Sequence, residues 1–192
     1  AIMTAGAGDG TGADETVAVG YNSLAALTSG SGNTAVGAFT LDAAATSDYN
    51  TAVGWKALSA VNGSGTGGNV ALGYNAGTTI TDGVLNVALG TSALQLNAQS
   101  DHNIAIGYAA LYNTSANTTG ANVAIGYQAG FYNVTGQNNT YLGYNSGMGA
   151  SGQSHSTNTG VGSKSLEAVT TGDQNVMIGS QAGTDITIGR YN

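Results

Sequence analysis

Of the 192 residues only 7 % are charged, and ten carboxylates against Lys56, Lys164 and Arg190 leave a net charge of −7. Releasing counterions from a phosphate backbone takes clustered Lys and Arg, so nucleic acid is not an expected partner. No run approaches the length of apolar chain that crosses a bilayer, so no membrane span is expected, and the absence of cysteine removes every thiolate or disulfide site.

The chain opens on AIMTAGAGDG, without a signal-peptide pattern and with Met3 as its only early methionine, and reads as a fragment or processed piece of something longer. Residues 1–15 are expected to form an entry segment connecting to what precedes the chain, and residues 16–192 one repeat domain. In the leading segment GDGTGADE (8–15) sets Asp9, Asp14 and Glu15 among glycines. Calcium takes roughly six to eight oxygens, and one such stretch without tandem copies reads as a solvated loop.

From residue 16 onward one phrase recurs. It reads TVAVG at 16–20, NTAVG at 33–37 and 50–54, NVALG at 69–73 and 86–90, NIAIG at 103–107 and NVAIG at 122–126. Looser copies follow: NTYLG at 139–143, NTGVG at 158–162 and NVMIG at 175–179. The closing glycines of these ten copies are 17 or 19 residues apart, and the two-residue difference conserves the in–out parity of an extended chain. Three and four residues after each glycine come a small residue and then Leu or Gly, as in Ala57-Leu58 and Ala76-Gly77. Positions two and four of the phrase are β-branched or apolar, which is strand periodicity. With 32 glycines and no proline, helix is disfavoured by about 1 kcal/mol for each glycine against alanine. The expected fold is all-β: a parallel β-solenoid of about ten coils, each a short strand, a turn at glycine, a second extended stretch and a polar loop.

The sequence also implies an orientation. Positions two and four should face one side, so that Val53, Leu72, Leu89 and Ile106 stack as a buried column. Position three is Ala18, Ala35, Ala52, Ala71, Ala88, Ala105 and Ala124, then Tyr141, Gly160 and Met177. That narrow file admits two readings, a close approach of another chain or a thin coil interior with the larger residues outside. Asn97, in the next loop, is expected to tolerate replacement by aspartate.

The phrase resembles the head repeats of trimeric autotransporter adhesins, the YadA-like β-roll, most closely in NVAIG, NIAIG and TVAVG. The longer form N-T-A-V-G-x-x-A-L is similar to repeats of phage tail fibres and related surface fibres, although steps of 17 or 19 residues exceed those typical of adhesin heads. The resemblance implies left-handed winding, a homotrimer and a place outside the cell, on a virion or a cell surface.

Candidate chemistry is sparse. His102 and His155 are the only histidines, with no paired acid at ligand spacing, and no metal or catalytic site is expected of them. Asp42 and Asp48 share a loop as paired glycosidase carboxylates would, but no aromatic cleft accompanies them. NGSGTGG (62–68) lacks the lysine of a phosphate loop. Asn-x-Ser/Thr triplets at Asn62, Asn113, Asn117, Asn133 and Asn138 are expected from composition alone. No enzyme activity and no cofactor are therefore expected. Aromatics form the one suggestive set: Tyr21, Trp55, Tyr74, Tyr108, Tyr127 and Tyr144 each follow the closing glycine. In register they would make a file along the fibre, serving either as a packing ladder or as a platform for sugar rings, with packing the first reading.

Three functions fit such a chain: a fibre shaft that presents a receptor-binding region, an adhesin head that binds a host receptor or glycan through its loops, and an ice-binding solenoid. The last needs an unbroken threonine array, and position two is Thr in only four copies (Thr34, Thr51, Thr140 and Thr159). Varied loops without a concentration of special residues put the shaft first and the adhesin head second.

Overall fold

The computed structural model describes residues 2–5, 15–63, 65–114 and 120–192. Asp9, Asp14 and the Asn117 triplet lie outside them. The described residues are all-β with no helix. The ten phrases supply β2 (Thr16–Val19), β3 (Thr34–Val36), β5 (Thr51–Val53), β7 (Val70–Leu72), β8 (Val87–Leu89), β9 (Ile104–Ile106), β10 (Val123–Ile125), β11 (Thr140–Leu142), β12 (Thr159–Val161) and β13 (Val176–Ile178). Each pairs in parallel with the next, in register and position for position, so that Ala88 lies opposite Ala71 and Ala105. The first strand, β1 (Ile2–Ala5), lies antiparallel against β2 and completes an eleven-stranded sheet. Two short strands, β4 (Ser47–Asp48) and β6 (Gly65–Thr66), pair on the loop side. This is a parallel β-solenoid of about nine turns.

The coil turns its corners with positive-φ residues. In every coil the closing glycine has φ between +127° and +141°, and the second and fourth residues after it are left-handed, as are Lys56 (φ 55°) and Leu58 (φ 51°). The residue before each asparagine of the phrase is left-handed too, for example Leu85 (φ 57°). Proline is locked near −65° and lacks the N–H that coil-to-coil pairing uses, which excludes it from these corners. At the closing glycine a second constraint applies. A Cβ on Gly54 would lie 2.5 Å from the Gly73 carbonyl oxygen, so only glycine lets successive corners stack.

The interior is filled from three directions. Position three supplies the alanine file, with Ala35, Ala52, Ala71, Ala105 and Ala124 fully buried. The fourth residue after glycine supplies Leu41, Leu58, Leu94, Leu111 and Leu166, and the seventh adds Val61, Ile80 and Val169. The alternation of Leu with Gly at the fourth position has a packing cause. A Cβ on Gly77 would meet Leu58 Cδ2 at 2.8 Å and Ile80 Cδ1 at 3.0 Å, so glycine relieves the left-handed backbone while neighbours fill the space.

Positions two and four therefore face outward, contrary to the buried column expected of Val53, Leu72, Leu89 and Ile106. Leu72 is 51 % exposed, and Val53, Leu89 and Ile106 are half-buried. At the rungs with alanine the coil is too thin for a larger side chain at the sheet's inner face, so the small residue goes in and the branched ones go out. The alternative in which alanine lines the coil interior is the one observed.

A column absent from the sequence-based expectation runs beside the alanines. The asparagine of each phrase from Asn33 to Asn175 is buried. Oδ1 of Asn86 accepts from the backbone N–H of Asn103 (2.9 Å) and from its Nδ2 (3.1 Å). Nδ2 of Asn86 in turn donates to Asn69 Oδ1 (3.2 Å) and to the Ser100 carbonyl (2.8 Å). Both lone pairs and both protons of the amide are used, which is the full capacity of an asparagine side chain. Asn97 is likewise interior, its Oδ1 accepting from Ser100 N–H at 2.9 Å, so the expected tolerance of Asn97→Asp is corrected: the site is buried and its amide is engaged.

Asn86→Ala should strip partners from four groups and lower unfolding stability by at least about 3 kcal/mol, read from thermal melts. Leu89→Asp in dilute, unassociated chain should retain the far-ultraviolet circular dichroism spectrum. The reverse ranking would return position four to the core.

Candidate functional site

The outer face of the sheet runs the length of the solenoid. Positions two and four of the ten strands carry Val, Ile, Leu or Thr and no charged residue, from Val17 and Val19 to Val176 and Ile178. Val17, Val70, Leu72, Ile104 and Leu142 are exposed. Parallel sheets ordinarily have both faces covered, and a contiguous apolar patch of this kind marks an interaction surface.

Along one edge of this face run the aromatic residues. Trp55 and Tyr74 stack with centroids 4.9 Å apart and planes 9° from parallel. Tyr108 stacks on Tyr127 at 5.1 Å, and Tyr127 on Tyr144 at 5.2 Å. Tyr21 meets Phe39 edge-on at 5.4 Å, and Phe39 meets Trp55 edge-on at 6.5 Å. Phe39 follows Ala38, which stands at the aromatic position of its coil, so the neighbouring residue fills that rung. Tyr127 has a ring stacked on either side, whereas Tyr74, Tyr108 and Tyr144, at the ends of their runs, stack on one neighbour only. The Lys56 ammonium lies 4.7 Å over the Trp55 ring. A second group, Tyr112 stacked on Phe131 at 4.9 Å with Tyr132 edge-on to Phe131, lies at the fifth and sixth positions after glycine and was not singled out in the sequence.

Buried titratable groups meet in one place. Tyr141 occupies position three, where the seven preceding coils have alanine, and is fully buried. Glycine makes the room: a Cβ on Gly147 would collide with its ring, and one on Gly160 would lie 3.1 Å from its Cδ1. The Tyr141 hydroxyl lies 3.1 Å from Asn139 Oδ1 and 2.7 Å from His155 Nδ1, within hydrogen-bond distance of both. His155 is thus an interior residue of its loop, and its buried Nε2 has no hydrogen-bond partner. Burial pushes the Tyr141 phenol above its ordinary range and lowers His155 from 6.5 to about 4.

The remaining candidates do not converge. Asp48 accepts from the Ser31 N–H at 2.8 Å. Asp42 has a buried oxygen without a partner, and desolvation raises its pKa. Among the described residues no group of three or more His, Asp or Glu side chains gathers as a metal site would, and no helix is long and apolar enough to cross a membrane. Asn133, one of the triplet asparagines, is buried. Comparison of the chain with protein-family models, curated proteins and solved structures found no match.

The His155 site predicts an acid-sensitive coil. The unfolded chain protonates this imidazole near 6.5 and the folded chain only near 4, so its contribution is complete above 6.5 and is lost as pH falls through about 4. Between those limits the wild type should lose on the order of 3 kcal/mol relative to His155→Gln, by melts at about pH 7.5 and about pH 4.5. Parallel pH dependences in the two proteins would remove His155 from the account.

Proposed function

We propose that the chain is a shaft segment of a homotrimeric surface fibre, of the phage tail-fibre or similar type, that spaces and presents a receptor-binding region for host attachment. One observation carries the reading: the uncharged, branched-apolar outer face of the sheet, continuous over ten strands and exposed in the single chain. Such a face calls for cover of matching pitch. A second copy of the same solenoid has that pitch in every rung. Three copies, each offering one face, would enclose an apolar seam along the fibre, as the repeat's resemblance to trimeric fibres implies. The outer remainder is dressed in Asn, Ser, Thr and Gly, with few charges to be lost on association. A place outside the cell, on a virion or cell surface, belongs to the same proposal.

The chain in solution should scatter light as three times its 18.8 kDa mass. Leu89→Lys combined with Ile106→Lys should yield a folded monomer, because each chain then places two cations in the seam. A wild-type monomer that stays folded at high concentration would overturn the proposal.

A further inference from the structure

We propose that the break in the aromatic file at Thr91 is a binding slot for one neutral, all-equatorial pyranose ring of a glycan, held between the faces of Tyr74 and Tyr108. The slot arises from register. At the rung where the file skips an aromatic at Ala38, Phe39 reaches in and meets both Tyr21 and Trp55. At the rung of Thr91 the next residue is Ser92, and no aromatic fills the space. Tyr74 gives one face to Trp55 and Tyr108 gives one face to Tyr127, so the other face of each is turned toward the Thr91 rung. Both tyrosines are about half exposed, at 51 % and 50 %, and Thr91 is exposed between them.

The spacing fits a single ring. Two rungs of a parallel sheet span about 9.5 Å, so a ring midway would lie about 4.8 Å from each tyrosine. That is within the range of stacked-ring contacts and close to the 4.9 to 5.2 Å found within the file itself. The chemistry of the floor favours a sugar over an aromatic side chain. Among the described residues, neither the Thr91 nor the Ser92 hydroxyl forms a hydrogen bond to the protein, and a pyranose brings hydroxyls to pair with them. No charged side chain stands at Tyr74, Asn75, Thr91, Ser92, Tyr108 or Ala109, so a neutral ligand is matched and an acidic one is not. Two flanking ring faces require C–H bonds on both faces of the sugar. A β-glucopyranoside has them, because every substituent is equatorial. Its galactose epimer turns the C4 hydroxyl axial and sets oxygen against one tyrosine face.

The attachment reading thereby gains a ligand class, while the slot is tested separately from assembly. Trp55, the only tryptophan, stacks on the far face of Tyr74 and reports occupancy by its fluorescence. The trimer or monomer found by scattering is titrated with methyl β-D-glucopyranoside and with methyl β-D-galactopyranoside, with saturation-transfer NMR as the second readout. A saturable response to the glucoside at roughly millimolar concentration is expected, with the galactoside at least about tenfold weaker. Tyr74→Ala, read by NMR, and Tyr108→Ala should each weaken glucoside binding about tenfold or more. Thr91→Trp should abolish it by completing the file, and Tyr144→Ala, at the far end of the second run, should leave it unchanged. No saturable binding, equal response to the two sugars, or binding that survives Thr91→Trp would overturn the proposal. So would a Thr91→Trp variant that loses self-association, since the slot would then hold a side chain of a neighbouring copy.

Discussion

The rung-to-rung spacing of a parallel sheet, enforced here by the asparagine ladder, is the constraint from which the other features of the coil follow. The amides of Asn69, Asn86, Asn122, Asn139 and Asn175 each span from their own rung to the one before and anchor a carbonyl in their own loop, as Asn86 does between Asn69 and Ser100. A buried amide with every donor and acceptor matched is strongly directional, because any shift along the axis leaves several polar groups unpaired at once. Hydrophobic contact between alanines is weakly directional by comparison. Alanine fills the interior, and asparagine fixes which residue lies above which. Once that is fixed, the corners must also repeat at strand spacing, and the closing glycine is the residue whose missing Cβ allows it.

Fixed registration explains why so much of the surface is ordered into files. A side chain at one position in one coil has its counterpart about 4.8 Å away in the next, close to the thickness at which rings stack. Aromatic residues at the first position after glycine therefore lie face on face without individual design of each contact. The same regularity turns the outward strand residues into an apolar band instead of scattered patches. Charge is nearly absent from these files, since like charges repeated at this spacing would repel. Among the described residues the ion pairs Lys164–Glu167 at 3.3 Å and Arg190–Asp173 at 2.9 Å lie outside the band.

The repeat, the strand at each phrase, the parallel stacking and the aromatic file were all legible, because each is a matter of periodicity. The inside of the coil was not. Alternation shows that Ala88 and Leu89 face opposite ways, but not which way is inward. The usual inference that the larger apolar residue is buried fails at rungs where the space inside the sheet admits only a methyl group. Asparagine at the head of each phrase carries turn propensity, which masked its interior role; its recurrence at every rung, with no replacement from Asn33 to Asn192, was the available signal. Asn97 failed for a related reason, as the loop's seventh residue after glycine holds Val61, Ile80 and Val169 in other coils and is an interior position. Tyr141 and Gly160 departed from the phrase in adjacent copies. Read as a pair, large beside none, they could have disclosed the buried ring, whereas the partnership with His155 needed the fold.

Near-identical coils raise a problem of addressing. A chain most of whose rungs offer the same amide, alanine and glycine can align one coil too high or too low with little change in local contacts. The irregular coils answer that problem. Tyr141 fits only where Gly147 and Gly160 lie around it, and the 19-residue steps fall at unequal intervals along the solenoid, after three coils and then after two. They work like the uneven teeth of a key: the uniform rungs supply cohesion, and the odd ones tell the chain which rung it is on.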